Sequence, residues 1–174
     1  MSLKKMMVTV MRMKKARITN PPPFLINIYM KTLKEILLYI WQLPQNLAGL
    51  ILLLVYQKEK EYHRLNGRIF YFTKEMPSGI SLGNYIIINK EDKEYDMKHE
   101  YGHTISSRRW GPLYLPVIGL LSLLGNIYDR IFHKKWKYSD SCEWYYNQPW
   151  EKAADKNGGV DRKAYIEKLR RWGY

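Results

Sequence analysis

The sequence predicts one mainly helical α+β domain. Three features carry that expectation: an uncharged apolar stretch over residues 36–56, aromatic and β-branched runs at 67–73 and 80–89, and a helix-compatible segment leading through His99-Glu100-Tyr101-Gly102-His103. The chain has 174 residues, 46% hydrophobic and 14% aromatic, which suffices for one core and hardly for two. That aromatic content excludes a disordered chain. A single cysteine excludes a disulfide scaffold and a cysteine-only zinc ribbon, both of which need pairs, and fits a reducing, cytoplasmic location.

The net charge of +13 points to an anionic partner, nucleic acid or a lipid surface. Its distribution narrows the choice. Residues 1–20 carry six bases and no acid, so almost half of the excess sits in a terminal arm. Those bases are interleaved with Met and Val, unlike a secretory signal. Pro21-Pro22-Pro23 then favours extended backbone, and a helical pattern starts afresh near Met30. Residues 1–29 therefore read as a basic, flexible leader, 30–57 as an apolar helical segment, and 58–174 as the domain that bears the chemistry. A nucleic-acid binder is disfavoured, because no helix-turn-helix, zinc-knuckle or RNP-type pattern accompanies the charge.

Residues 36–56 are long enough to span a bilayer, but Gln42, Pro44, Gln45 and Asn46 split them into two shorter pieces. A second run, 112–127, contains Pro116, Gly119 and Gly125 and is also short. Lys and Arg flank both. Two readings stand: helices lying shallowly at an anionic membrane surface, or core helices of a small domain. Between the runs, 67–73 and 80–89 predict a short antiparallel hairpin, with Pro77-Ser78-Gly79 as its turn. A helix follows and ends at Gly111-Pro112.

His99 and His103 are spaced i, i+4, which puts both imidazoles on one helical face within reach of a single metal ion. Glu100 follows the first His and projects beside the metal, where it can take a proton from an activated water. A hydrolytic site needs a third protein ligand and an open fourth position. His63, His133, Cys142, Glu143 and Glu151 are available, and Glu151 is the strongest. Glu151 and Asp155 are again i, i+4, with the small Ala154 beside them, so Glu151 can ligate while Asp155 accepts the free N–H of a ligating His. Cys142 as a fourth ligand would close the site and make it structural.

HEYGH followed by EKAAD resembles the signature of the gluzincin zinc metallopeptidases, His-Glu-x-x-His plus a later Glu. It is nearest to the branch of the CAAX prenyl endopeptidases and the bacterial heat-shock membrane protease. It also looks like small bacterial proteins with a HEYGH stretch continuing to GPLY, here Gly111 to Tyr114. The resemblance covers about residues 80–158. Only 47 residues separate His103 from Glu151, too few for the paired spans of the larger relatives.

The resemblance implies a zincin-like domain over 58–174 with Zn2+ held by His99, His103 and Glu151, Glu100 as general base and Asp155 behind one His. The implied reaction is peptide-bond hydrolysis on a peptide or protein substrate, with a strand ahead of the metal helix lining the cleft. Tyr145, Tyr146, His133 and Arg108 are all open as donors to the oxyanion. A catalytically silent, zinc-stapled protein that binds a membrane or a partner is the alternative. The expected location is the cytoplasm, with membrane association open.

Overall fold

The computed structural model describes residues 22–56, 62–65, 68–76, 78–89 and 94–174. Most of the basic leader expected over 1–29 lies outside them, as does Pro77. The described part is mainly helical with a small mixed sheet. The chain divides between Ile36 and Leu37 into two compact units.

In the first unit, helix α1 (Pro23–Trp41) starts earlier than the Met30 start expected from the sequence. Pro23 occupies the first helical position, where its missing N–H would have had no partner anyway. The Pro22 carbonyl accepts from the Leu25 and Ile26 amides at 2.9 and 3.3 Å.

The second unit takes in the last turn of α1 and all that follows it. The chain bends by 81° at Gln42 into α2 (Leu43–Tyr56). The polar residues that interrupt the apolar run make this bend and tie it down. Gln42 Nε2 donates to the Leu38 carbonyl at 2.9 Å, and its Oε1 accepts from Ser107 Oγ at 2.9 Å. Asn46 Nδ2 donates to Tyr39 O at 2.8 Å, while its Oδ1 accepts from the Asn84 amide at 2.8 Å. Gln45 donates to the Gly111 carbonyl, and Trp41 Nε1 to Arg108 O at 3.1 Å. Gly111 is needed there: its φ is +54°, and a Cβ would fall 2.1 Å from the Trp41 indole.

Four strands follow, β1 (Tyr62–Leu65), β2 (Arg68–Thr73), β3 (Ile80–Leu82) and β4 (Tyr85–Asn89), in the order β1-β2-β4-β3. The expected hairpin between 67–73 and 80–89 does not form. β2 runs parallel to β4 (Phe70 opposite Ile86, Phe72 opposite Ile88), and the antiparallel hairpin lies within 80–89, where Ile80 pairs with Ile87. The reason is Gly83, which takes φ +64° and turns the chain tightly into Asn84. The side-chain period of two then divides the sheet. Phe70, Ile86 and Ile88 pack with Met97 and Tyr101 on one face; Ile87 packs with Leu53 of α2 and Met76 on the other.

Helix α3 (Glu94–Trp110) carries the HEYGH motif under the first of these faces and ends one residue before Gly111, as Gly111-Pro112 predicts. A 3-10 turn (Gly111–Leu113) and a π-helical turn (Leu115–Gly119), widened where Pro116 lacks an N–H, lead into α4 (Leu120–Phe132). Three short helices complete the unit: α5 (Tyr138–Tyr146), α6 (Pro149–Gly158) and α7 (Arg162–Arg171). Helix α6 opens on Pro149 and closes on Gly159 at φ +71°; Asp161 caps α7 by accepting from the Ala164 amide at 3.1 Å. Helices α3 and α6 cross almost in contact. A Cβ on Gly102 would lie 1.9 Å from the Ala154 carbonyl oxygen, and one on Gly158 would lie 2.0 Å from Lys98 O.

Candidate metal centre

The crossing of α3 and α6 sets the site. His99 and His103 leave α3 one turn apart, and Glu151 leaves the first turn of α6 opposite them. The three side chains are 4%, 6% and 1% exposed, a depth at which such groups need partners. His99 Nε2 is 3.0 Å and His103 Nε2 3.2 Å from Glu151 Oε2, and the two nitrogens are 3.1 Å apart. Three donor atoms thus form a nearly equilateral triangle. Atoms bound to one ion at about 2.0–2.1 Å and at tetrahedral angles lie about 3.3 Å apart, so the triangle has the size of a tetrahedral metal site. Among the described residues no other group of three His, Cys, Asp or Glu side chains converges in this way.

The outward atoms are held as well. His99 Nδ1 donates to Asp155 Oδ1 at 2.7 Å, and His103 Nδ1 lies 3.2 Å from the Tyr114 hydroxyl. With the ring protons on Nδ1, both Nε2 lone pairs point at the triangle's centre. Glu151 Oε1 accepts from Ser122 Oγ at 2.6 Å, and Ser122 lies 2.9 Å from the Tyr145 hydroxyl. Asp155 also accepts two bonds from Arg162, 2.9 Å from Nε and 2.8 Å from Nη2. The Arg162 guanidinium stacks 3.5 Å over Tyr146, whose ring meets His99 edge-on at 5.1 Å. His99, Asp155, Arg162 and Tyr146 therefore close a ring of contacts contributed by α3, α6, α7 and α5.

Glu100 is buried beside this centre, with the backbone of Gly79 pressed against it: a Cβ there would sit 2.8 Å from its carboxylate oxygen. Ser81 of β3 donates to the Glu100 carbonyl at 2.6 Å. Burial raises the Glu100 pKa, and the two histidines oppose that rise. Burial works the same way on Glu151, but hydrogen bonds from His103 and His99 outweigh it and hold the carboxyl well below its usual range. Asp155 is lowered against burial by His99 and Arg162. Burial alone would depress His99; its bonds to Asp155 and Glu151 raise it to about 9.

A pH prediction follows for protein stripped with chelator. The raised His99 stabilises the fold below its ordinary value near 6.5, and that contribution is lost as pH rises through about 9. The lowered Glu151 and Asp155 contribute above their ordinary values and lose that contribution in acid. Metal-free protein is expected to be most stable in mildly acidic solution and to lose stability as pH rises toward about 9. Thermal melts across that range check this; a flat or rising midpoint toward pH 9 contradicts it.

Of the other residues considered, Cys142 is a free thiol packed with Ile166 and Leu169 and takes no part in the triangle. His63 is exposed on β1. His133 is buried, bonded to Asp129 at 2.8 Å and stacked 3.7 Å from Trp136, away from the triangle. Arg108 stands in the last turn of α3, and Glu143 is ion-paired with Arg170 at 2.5 Å. Tyr146 is the ring between His99 and Arg162; Tyr145 is joined to the ligand network through Ser122.

Sequence reasoning gave no role to Tyr114, Ser122 or Arg162. The only signal for Arg162 was its place just after Asp161, a helix cap that puts the next residues beside the end of α6. We expect Arg162→Met to weaken zinc binding about 10–100-fold, because Asp155 and Tyr146 then lose the group that fixes them against His99. Competition with a chromogenic chelator measures this, and Arg162→Lys, which keeps charge without the two-bond fork, should fall between.

No family model, curated protein or solved structure matches the chain.

Proposed function

We propose that the chain is a zinc-dependent metallopeptidase of zincin type, with His99, His103 and Glu151 as metal ligands and Glu100 as general base. The observation that carries this reading is the triangle of His99, His103 and Glu151 ligand atoms, sized for a tetrahedral ion, with a buried carboxylate on the residue next to the first ligand. Two imidazoles and one carboxylate suit zinc and leave a fourth position open. When bound, zinc supplies an activated water at neutral pH and a Lewis acid for the scissile carbonyl. Glu100 accepts the proton of the attacking water on its carboxylate and delivers it to the departing amide nitrogen. Gly79 keeps that carboxylate in place. Asp155 and Tyr114 hold the two rings, and the Tyr145–Ser122 pair holds Glu151, with the Tyr145 hydroxyl available to the oxyanion.

The substrate is a peptide or protein segment. β3 is an outer strand of the sheet and bonds to the Glu100 turn of α3 through Ser81, so an extended substrate paired to it would run past the general base. The free, buried Cys142 fits a cytoplasmic enzyme.

The test is zinc content after purification without chelator, beside hydrolysis of a quenched peptide library. One equivalent of zinc is expected. Glu100→Gln should keep the zinc and lower kcat by about 10²–10⁴. A parent that takes up no zinc overturns the metal site. Zinc in both proteins with turnover in neither assigns the ion to a structural staple.

A further inference from the structure

We infer that α4 docks the protein onto an anionic lipid bilayer, lying in the headgroup layer with its leucine face toward the acyl chains. This goes beyond the peptidase reading and does not depend on it. The starting observation is a helix whose polarity is inverted. In a water-soluble fold the apolar stripe of an amphipathic helix turns inward. Here the polar stripe does. Ser122 reaches Glu151, the Ser141 hydroxyl donates to the Asp129 carboxylate with Oγ 2.7 and 2.6 Å from its two oxygens, and His133 at the helix end is buried on Asp129. Leu120, Leu123, Leu124, Ile127, Ile131 and Phe132 all face outward and are 44–63% exposed. Helix α2 repeats the inversion: Gln45 and Asn46 are fully buried, whereas Leu47, Ile51 and Leu54 are 51–75% exposed.

The ends of the apolar face identify the occupant. Trp110 precedes it and Trp136 follows it, both exposed, and indoles favour the layer between headgroups and acyl chains. Exposed Arg109 stands at one end and exposed Arg130, Lys134, Lys135 and Lys137 at the other, with no acid among residues 111–128. Indoles and arginines also serve protein interfaces, but lysines are depleted there, and Lys134, Lys135 and Lys137 beside an indole suit an anionic bilayer, which uses both. Residues 115–132 form an 18-residue window with mean hydropathy 1.3, close to the length of a span. A transmembrane placement would carry Asp129, Ser141 and the charged α5 and α6 to membrane depth, so the helix lies along the surface.

Full-length protein is floated on sucrose gradients with vesicles of phosphatidylcholine alone or mixed with phosphatidylglycerol; aggregates sink and bound protein rises. We expect flotation with the anionic vesicles and a blue shift of tryptophan emission. The substitutions Leu120→Ser, Leu124→Ser, Ile127→Ser and Ile131→Ser together should reduce partitioning by at least about a hundredfold without changing zinc stoichiometry, since all four side chains are exposed. Lys134→Glu with Lys135→Glu should reduce it about tenfold, on anionic vesicles alone. Parent protein that stays in solution with both vesicle types overturns the inference. So does flotation that the fourfold variant retains. A parent dimer in lipid-free buffer that the variant converts to monomer would instead assign the face to a second copy of the chain. Loss of zinc binding with flotation intact would refute the peptidase reading and leave the docking surface standing.

Discussion

On the proposed zinc reading, replacing Glu151 by Ala is expected to cost on the order of 10³-fold in zinc affinity, the share of one ligand if the total resembles the roughly 10–16 kcal/mol of small structural zinc sites. The substitution removes one corner of the triangle, and nothing in the site can replace it. Asp155, one turn further along α6, is already engaged by His99 Nδ1 and by both bonds from Arg162. Ser122 loses its acceptor and the Tyr145–Ser122 chain loses its end point. The same substitution acts on stripped protein in the opposite sense from a simple loss of charge. Glu151 holds His99 in its charged form, so without it burial pulls the His99 pKa back down from about 9. The acid-side stability expected for the stripped parent should shrink accordingly. Glu151→Gln separates the two contributions: it keeps the bond from Ser122 and the side-chain volume, and loses the charge. Titration against a competing chelator, with melts of stripped protein at about pH 6, reads both effects. A variant that holds zinc as tightly as the parent would remove Glu151 from the ligand set.

The centre of this site was legible because helical spacing is a local property. His99 to His103 and Glu151 to Asp155 are one turn apart, so the sequence alone puts each pair on one face. What the spacing does not contain is the partner that arrives from another element. Tyr114 reaches His103 only because the chain turns at Gly111, and Arg162 reaches Asp155 only because α6 ends at Gly159. The sheet failed for a related reason. Alternation in 67–73 and 80–89 specifies which side chains share a face but not the direction of the neighbouring strand, and the Gly83 turn divided what read as one strand into two. The apolar helices show the same limit in another form. Composition reports how much of 43–56 and 115–132 is apolar, whereas the hydrogen bonds of Gln42, Gln45, Asn46, Ser122 and Asp129 decide which way each helix faces. Three residues that read as interruptions of a span are the ones that fasten it, Gln42 to α3, Gln45 to the turn after it and Asn46 to the β3–β4 turn.

Gly102→Ala is expected to destabilise the fold by about 3 kcal/mol or more, far above the usual effect of adding one methyl to a helix, which by intrinsic propensity would stabilise it. The added Cβ meets the carbonyl oxygen of Ala154 at 1.9 Å and its carbonyl carbon at 2.7 Å, and both are backbone atoms that no rotamer can move. Relief requires α6 to back away from α3 by more than about 1 Å, since packed carbon and oxygen atoms keep well over 3 Å between them. Helix α6 carries Glu151 and Asp155, so that displacement also opens the 3.0 and 2.7 Å contacts to His99. Zinc affinity and stability should therefore fall together in this variant, whereas Glu100→Gln leaves both near the parent's values. Gly158→Ala strikes the same crossing one turn along, at Lys98 O, 2.0 Å away. Because a single outward shift of α6 relieves both clashes, the double variant should lose less than the sum of the two singles. Denaturant unfolding of the three variants measures this, and strict additivity would mean that the two glycines are accommodated by separate local adjustments and that α6 does not move as a unit.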